Sequence, residues 1–172
     1  MKTMKTVFAE VAVMPREISE KEIAEARAVV EKFKDTDINA GADMTSEDLA
    51  KGAPAVLKYF AEKLLEQAGC REKQRLYLTG IAFGSSVMLA SLPSEPFTEI
   101  GLAVRKMIFA DRICLTAALA NGTGSYRNGG GYIPNAWNYG RGGYEDTPRS
   151  NPFSVKTAEA VIAEWRMLAG KI

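Results

Sequence analysis

The stretch that decides the fold is SLPSEPFTEIGLAVRK, residues 91–106, together with LANGTGSYRNGGGYIPNAWNYGRGGYED, residues 119–146. The first part holds a proline-rich turn and an amphipathic segment, and the second is dominated by a long loop. From Gly122 to Tyr144 the chain has eight glycines, four tyrosines and one tryptophan. A loop this long inside a compact domain is usually functional or disordered. Because disordered segments are poor in aromatic residues, this composition predicts an ordered, functional loop.

Hydrophobic periodicity on both sides of this stretch predicts helices and strands in alternation, and therefore a mixed α/β class. Four strands are predicted, at residues 5–13, 74–83, 86–92 and 112–119. Four helices are predicted, at residues 19–34, 46–68, 95–108 and 157–169. The second and third strands form a hairpin around Gly84-Ser85, and the long glycine- and tyrosine-rich loop fills residues 121–153. Trp165 lies on the apolar face of the last helix, and we expect it in the core.

Local signals mark the starts of three of these helices. Ser19 and Glu22 have the spacing of a capping box before the first helix. Gly52 and Pro54 disturb the start of the second helix. Ser94 is expected to cap the third helix, with the following proline in its first turn, where proline is tolerated.

Length and composition limit the classes of protein that this sequence can encode. The 172 residues predict one domain, residues 1–172, and 47% hydrophobic residues are enough for a core. The net charge of +1 provides no basic field for nucleic acid. No apolar run approaches the length of a transmembrane helix, and the first residues lack the apolar region of a signal peptide. These features leave the cellular compartment unassigned.

The sequence contains no histidine. Histidine is the side chain best suited to acid–base chemistry near neutral pH, and it is the commonest metal ligand. A Ser-His-Asp triad, a Cys-His pair and a histidine-based zinc site are therefore impossible within this chain. Cys70 and Cys114 match no metal-binding or redox spacing. Any chemistry of the chain alone must use carboxylates, tyrosines, lysines or arginines.

Four short motifs, LPSEPF, NG, GYIP and GGYE, follow one another between residues 92 and 145. In this order they resemble the neutral ceramidase family, and most closely its bacterial ceramidase-like hydrolases, whose pattern reads LPGEPF, NG, GYIP and GGYE. Glu95 and Tyr132 are 37 residues apart, and Tyr132 and Tyr144 are 12 apart, which is close to the family's spacing. The resemblance is clearest over residues 91–146. It implies that the chain corresponds to the C-terminal part of a ceramidase-like catalytic domain.

This family is zinc-dependent and hydrolyses N-acyl amides, typically ceramide to sphingosine and fatty acid. Its zinc is held by two histidines from the N-terminal half of the domain and by a glutamate and a tyrosine from the C-terminal half. The resemblance implies Glu95 and Tyr132 as metal ligands, and Tyr144 as a catalytic tyrosine that binds substrate or stabilises charge. Because the interval after Asn121 looks enlarged, Tyr126 competes with Tyr132 for the role of metal ligand.

Two departures from the family pattern affect these expectations. Ser94 stands where the family has a glycine before the glutamate. The half with the zinc histidines and the serine nucleophile is missing, and two protein ligands cannot make a three-ligand catalytic zinc site. We therefore expect the chain to be inactive alone and to need the N-terminal half or a second subunit. That partner would dock on an exposed apolar face, which also favours homo-oligomers. Family members are often exported, but this sequence carries no localisation signal of its own.

A different class of function is also open, that of a non-catalytic binding module. Its ligand would be a sugar or single-stranded nucleic acid, stacked on the loop at residues 123–149. The aromatic and basic residues of that surface are Tyr126, Tyr132, Trp137, Tyr139, Tyr144, Arg127, Arg141 and Arg149. The neutral charge argues against nucleic acid, because phosphate neutralisation dominates such binding. A hydrolase would bring Glu95 to a loop tyrosine, whereas a binding module would spread its aromatic residues along an open surface.

Overall fold

The computed structural model describes residues 3–38, 45–121 and 130–172, and these contain strands and helices in alternation. The strands are β1 (Met4–Val13), β2 (Gln74–Phe83), β3 (Val87–Ser91), β4 (Glu95–Pro96), β5 (Ile113–Ala117) and β6 (Tyr132–Ile133). The helices are α1 (Glu20–Lys32), α2 (Ser46–Lys51), α3 (Pro54–Ala68), α4 (Thr98–Ala103) and α5 (Thr157–Ala169). A π-helical turn, Val104–Ile108, continues α4, and 3-10 turns lie at Ala136–Asn138 and Tyr144–Asp146. The predicted mixed α/β class is confirmed.

Strands β1, β2, β3 and β5 form one sheet in that order. The first two pairings are antiparallel, and β3 pairs with β5 in parallel. The predicted hairpin between β2 and β3 is confirmed, with Gly84 at φ +61° in its turn. Because β3 and β5 are parallel, the chain must cross over between them, and α4 lies in that crossover. Strands β4 and β6 form a separate parallel pair, which begins just after the end of β3.

The core lies between the inner face of the sheet and the helices α4 and α5. Trp165 of α5 is fully buried, and its ring meets Phe109 edge to face at a centroid distance of 5.9 Å. Its indole N–H donates a hydrogen bond to the carbonyl of Ser91 at 3.2 Å. The expectation that Trp165 belongs to the core is confirmed. This hydrogen bond fixes the end of β3, directly before the segment that carries Glu95.

The opposite face of the sheet carries exposed apolar side chains beside polar ones such as the Glu10–Arg75 ion pair. Its side chains lie in rows because the strand registers place direct neighbours on the same face. We call the apolar part of this surface the outer sheet face, and its residues are Met4, Phe8, Ile81, Phe83, Val87, Leu89, Ile113 and Leu115. The most exposed of these are Met4 (67%), Ile113 (65%), Phe8 (62%), Leu115 (56%) and Phe83 (48%). Contiguous apolar surface of this kind is typical of a protein contact.

The helix predicted at residues 46–68 is in fact two helices. Gly52 takes a left-handed φ of +60° and ends α2. Pro54 opens α3 at a position where its missing N–H is not needed. The prediction of one continuous helix is therefore wrong, because the breaking effect of these two residues outweighs the shared apolar pattern.

The helix predicted at residues 95–108 is wrong at its start. α4 begins at Thr98 with Phe97 as its N-cap residue, and no side chain caps it. Ser94 is therefore not a helix cap, because the two residues after it form β4 and pair with β6. The loop predicted at residues 121–153 likewise contains β6 and two 3-10 turns. Pairing between distant segments has overridden the local signals.

The chain divides into two compact units. One is Arg16–Arg71, which holds α1, α2 and α3, and the other is Met1–Pro15 with Glu72–Ile172. In the first unit, the predicted capping box of Ser19 and Glu22 is confirmed at the start of α1. The second unit contains the sheet and all the candidate site residues that the structure describes. The single domain expected from the length stays a prediction. Among the described residues, no helix is both long and apolar enough to span a membrane.

Candidate functional site

The strand pair β4–β6 places Glu95 directly beside Tyr132. The backbone N–H of Glu95 donates to the carbonyl of Gly131 at 3.0 Å, and that of Tyr132 donates to the carbonyl of Ser150 at 2.7 Å. Directly paired residues of neighbouring strands project their side chains to the same side. Two residues that are 37 positions apart in the sequence are thereby held next to each other.

The side chains of these two residues interact. The Glu95 carboxylate lies close to the Tyr132 hydroxyl and can accept its hydrogen bond. The negative charge of Glu95 raises the pKa of Tyr132, and partial burial and the hydrogen bond act in the same direction. The phenol therefore stays protonated well above neutral pH. We call these two residues the Glu95–Tyr132 pair.

Aromatic rings surround the Tyr132 side chain. Phe97 and Tyr144 both meet it edge to face, at centroid distances of 6.5 Å and 6.1 Å. The Tyr144 hydroxyl accepts a hydrogen bond from the guanidinium of Arg149 at 2.6 Å. Because its oxygen accepts this bond, the hydroxyl hydrogen of Tyr144 remains available for another acceptor. A phenol held in this way can donate to an oxygen on which negative charge develops.

The segment after β6 is fixed by polar contacts. The buried carboxylate of Asp146 accepts hydrogen bonds from the backbone N–H groups of Gly140, at 2.6 Å, and Gly142, at 3.4 Å. The Tyr139 hydroxyl lies 3.0 Å from the carbonyl oxygen of Phe153. Tyr139 is therefore an anchor of the loop, and it does not belong to the open aromatic surface that a binding module would use.

Ser94 has an unusual backbone conformation, with a φ of +57°. A left-handed conformation costs a residue with a Cβ roughly 1–2 kcal/mol, whereas glycine adopts it freely. The side chain is fully buried, and its hydroxyl has no hydrogen-bond partner among the described residues. This geometry explains physically why a glycine suits the position before the glutamate.

Replacing Ser94 with glycine is expected to raise the free energy of unfolding by about 1 kcal/mol, because the change removes backbone strain and a buried, unpartnered hydroxyl. Ser94→Ala is the matched control, since it removes the hydroxyl and keeps the strained Cβ. Urea denaturation of the three proteins measures the difference. If glycine stabilises no more than alanine, the strain at this position is not significant.

Glu95→Gln is expected to lower the pKa of Tyr132 towards its ordinary value, because the carboxylate charge is the main cause of the shift. In the native protein the raised pKa of Tyr132 stabilises the fold fully below about pH 10, the pKa of an unfolded tyrosine. That contribution is lost as the pH rises through the higher folded value. Ultraviolet titration of tyrosinate, with Tyr132→Phe as reference, measures the shift. An unchanged titration in Glu95→Gln would contradict the pairing.

The structure brings together three of the four residues that the resemblance implies, namely Glu95, Tyr132 and Tyr144. Tyr126, the competing tyrosine, lies outside the described residues. Phe97 was assigned no role from the sequence, although this residue is the last of the LPSEPF motif. Sequence reasoning placed Arg149 only in the alternative binding surface, and no local pattern could have connected that arginine with Tyr144.

The Glu95–Tyr132 pair meets part of the requirement for a zinc site. The Glu95 carboxylate and the Tyr132 hydroxyl are close enough to interact, and a carboxylate oxygen is an ordinary zinc ligand. Within residues 3–38, 45–121 and 130–172, no three histidine, cysteine, aspartate or glutamate side chains converge as metal ligands. The residues present therefore fit half of a zinc site, and histidine ligands for the other half would have to come from outside these 172 residues.

Comparisons of the chain with protein-family models, curated proteins and solved structures gave no match. The ceramidase-like assignment therefore depends on the four motifs and on the geometry of the site, and it remains a proposal.

Proposed function

We propose that this chain is part of a zinc-dependent, ceramidase-like hydrolase of N-acyl amides. It contributes Glu95, Tyr132 and Tyr144 to a catalytic site that another chain or a further segment completes. The observation that carries this proposal is the Glu95–Tyr132 pair. Its two members are the residues that the resemblance implies as ligands, and they meet through a dedicated strand pair although they are distant in sequence.

Each residue has a distinct part in this function. Glu95 and Tyr132 would hold the zinc ion, which when bound polarises the amide carbonyl and makes water more acidic. Tyr144, oriented by Arg149, donates a hydrogen bond to the carbonyl oxygen as negative charge grows there. The ring of Phe97 packs edge to face against one side of Tyr132.

The outer sheet face supports the view that the chain is incomplete by itself. A sheet with an apolar face is normally covered by a second layer, and here large apolar side chains are exposed. A second copy of this chain could cover the face, but it has no histidine to add to the zinc site. The polypeptide that completes the site is therefore a different chain or segment, and we expect it to cover the outer sheet face.

Cobalt binding in the presence of imidazole tests the proposed ligands, because free imidazole can replace the two missing histidine side chains and cobalt(II) reports its coordination by visible absorption. We expect imidazole to strengthen cobalt binding to the wild-type chain. Glu95→Gln and Tyr132→Phe should each weaken that binding by about tenfold or more, the loss seen when even groups behind the ligands are removed. Glu99→Gln, an exposed carboxylate in the first turn of α4, and Tyr59→Phe are the matched controls.

Equal cobalt binding in wild type, Glu95→Gln and Tyr132→Phe would reject the proposed ligand set. Activity provides a second measurement. With zinc but without imidazole, the chain alone should not hydrolyse a fluorogenic N-acyl amide, because its ligand set is incomplete. Hydrolysis by the chain alone that Glu95→Gln abolishes would contradict the need for a completing polypeptide.

One observation favours the binding-module alternative. Trp137 is 58% exposed, and the guanidinium of Arg141 lies 4.9 Å from its ring centroid. An exposed aromatic ring with a neighbouring cation is a suitable platform for a stacked sugar. Trp137→Ala should then abolish binding of an oligosaccharide and leave cobalt binding unchanged. Sugar binding that survives this substitution would remove the alternative.

A further inference from the structure

A groove of about 230 Å³ lies along α4, and its lining includes Pro96 and Phe97, the two residues that follow Glu95. Leu92, Phe97 and Leu102 form apolar walls, and Thr116 and Arg105 provide polar groups. Ligand sites usually have volumes of roughly 300–1,000 Å³, so this groove suits a short ligand or one part of a larger one. The groove is adjacent to the candidate site because Phe97, which forms one wall, also contacts the ring of Tyr132.

Gly101 keeps the middle of the groove open. Thr98, Gly101, Leu102 and Arg105 have the spacing i, i+3, i+4 and i+7, which places them on one helix face, and all four line the groove. A Cβ on Gly101 would have its nearest neighbours, on Leu92 and Thr116, at 3.7 Å, an ordinary contact distance. Packing therefore does not require glycine, although glycine in a helix costs about 1 kcal/mol relative to alanine. The missing side chain leaves space for a ligand.

Arg105 gives the groove a positive charge. It lies in the π-helical turn that continues α4, and such turns are frequent at functional sites. Among the described residues, the ion pairs that form do not include Arg105. An arginine at the edge of a groove with apolar walls is suited to an anionic group on a partly apolar ligand.

The helix sets the length of the groove. Seven residues separate Thr98, near the Glu95–Tyr132 pair, from Arg105, which corresponds to about 10 Å along the helix axis. Carbon–carbon bonds of about 1.5 Å advance a zigzag chain by roughly 1.25 Å each, so this distance fits about eight or nine carbons.

We propose that this groove binds the acyl chain of the substrate, and that this chain is short and ends in an anionic group, such as a carboxylate, held by Arg105. The proposal depends on the proposed function, because the amide at the other end of the acyl chain must lie at the Glu95–Tyr132 pair. It narrows the substrate class from N-acyl amides in general to amides of short dicarboxylic or similarly acidic acyl groups.

Two probes of equal chain length test this proposal without metal, and each has an uncharged N-methylamide at one end. Octanedioic acid monomethylamide carries the distal carboxylate, and N-methyloctanamide lacks it. We expect the acidic probe to bind about tenfold more tightly in an NMR titration, because it forms a charge-assisted hydrogen bond with the guanidinium. Arg105→Gln should reduce the affinity for the acidic probe to that for the neutral one, and Arg105→Lys should retain part of the preference. Gly101→Leu, which fills the groove, should weaken binding of both probes.

Equal affinity for the two probes, or a preference that survives Arg105→Gln, would overturn the proposal. The groove proposal and the hydrolase proposal can be rejected independently, because the cobalt experiment depends on Glu95 and the probe experiment depends on Arg105. Cobalt binding that requires Glu95, without any preference for the acidic probe, would overturn the groove and leave the zinc half-site. The opposite combination is a preference for the acidic probe together with cobalt binding that Glu95→Gln does not change. It would reject the acyl chain as the ligand, since no hydrolytic site would lie beside the groove.

Discussion

Replacing Gly131 with alanine is expected to separate Glu95 from Tyr132 and to lower the free energy of unfolding by about 2 kcal/mol, the usual effect of overpacking. A Cβ at this position would lie 2.6 Å from the carbonyl oxygen of Ser150 and 2.6 Å from Cδ of Pro152. Neither atom belongs to a flexible side chain, so the backbone must move. Gly131 also accepts the hydrogen bond of the Glu95 N–H, and its movement would therefore shift β4 against β6.

Urea denaturation measures the loss of stability, and tyrosinate titration shows whether the pKa of Tyr132 returns to its ordinary value. Gly101→Ala is a suitable control because its Cβ would have only ordinary contacts, at 3.7 Å, and alanine favours the helix. We expect this control to be neutral or stabilising. A Gly131→Ala protein with wild-type stability and an unchanged Tyr132 titration would show that the close approach at β6 has no importance for the site.

Trp165→Ala is expected to lower the free energy of unfolding by about 4 kcal/mol, the range typical of a buried aromatic residue changed to alanine. The side chain is fully buried against Phe109 and donates a hydrogen bond to Ser91. Its removal leaves a cavity and an unpaired carbonyl at the end of β3. Since small proteins have a total stability of roughly 5–15 kcal/mol, this loss is a large part of the whole.

Trp137→Ala is the matched control for this prediction, because Trp137, the other tryptophan of the chain, is 58% exposed and contacts the Arg141 guanidinium. This substitution should lower the free energy of unfolding by about 1 kcal/mol or less. Trp165→Phe separates the two effects at the buried position, since it retains much of the packing and removes only the indole N–H. Similar losses for the two alanine variants would contradict the central position of Trp165 in the core.

The elements with a strong local pattern were predictable from the sequence. The alternating apolar residues of β1 and β2, the turn at Gly84 and the capping box at Ser19 all depend on neighbours within a few positions. The break between α2 and α3 was signalled by Gly52 and Pro54, but the shared apolar pattern concealed it. Ser94 and Pro96 gave a helix-start signal that pairing with β6 overrode.

The candidate site was predictable only in its list of residues. Motif order and spacing nominate Glu95, Tyr132 and Tyr144, but they do not say whether these side chains meet. The strand register decides that Glu95 is the neighbour of Tyr132. The contact between Arg149 and the Tyr144 hydroxyl follows a 3-10 turn that begins at Tyr144, and the proposed anionic preference of the groove depends on Arg105 lining it.

By itself, the sequence determined the mixed α/β class, because periodicity is a local property, and it excluded any complete histidine-dependent site, because composition does not depend on folding. Only the tertiary structure decided that Glu95 lies in a strand beside Tyr132 and that the outer sheet face is exposed. Both of these depend on hydrogen bonds and packing between segments far apart along the chain. The residues next to such a contact in the sequence indicate neither its partner nor its strength.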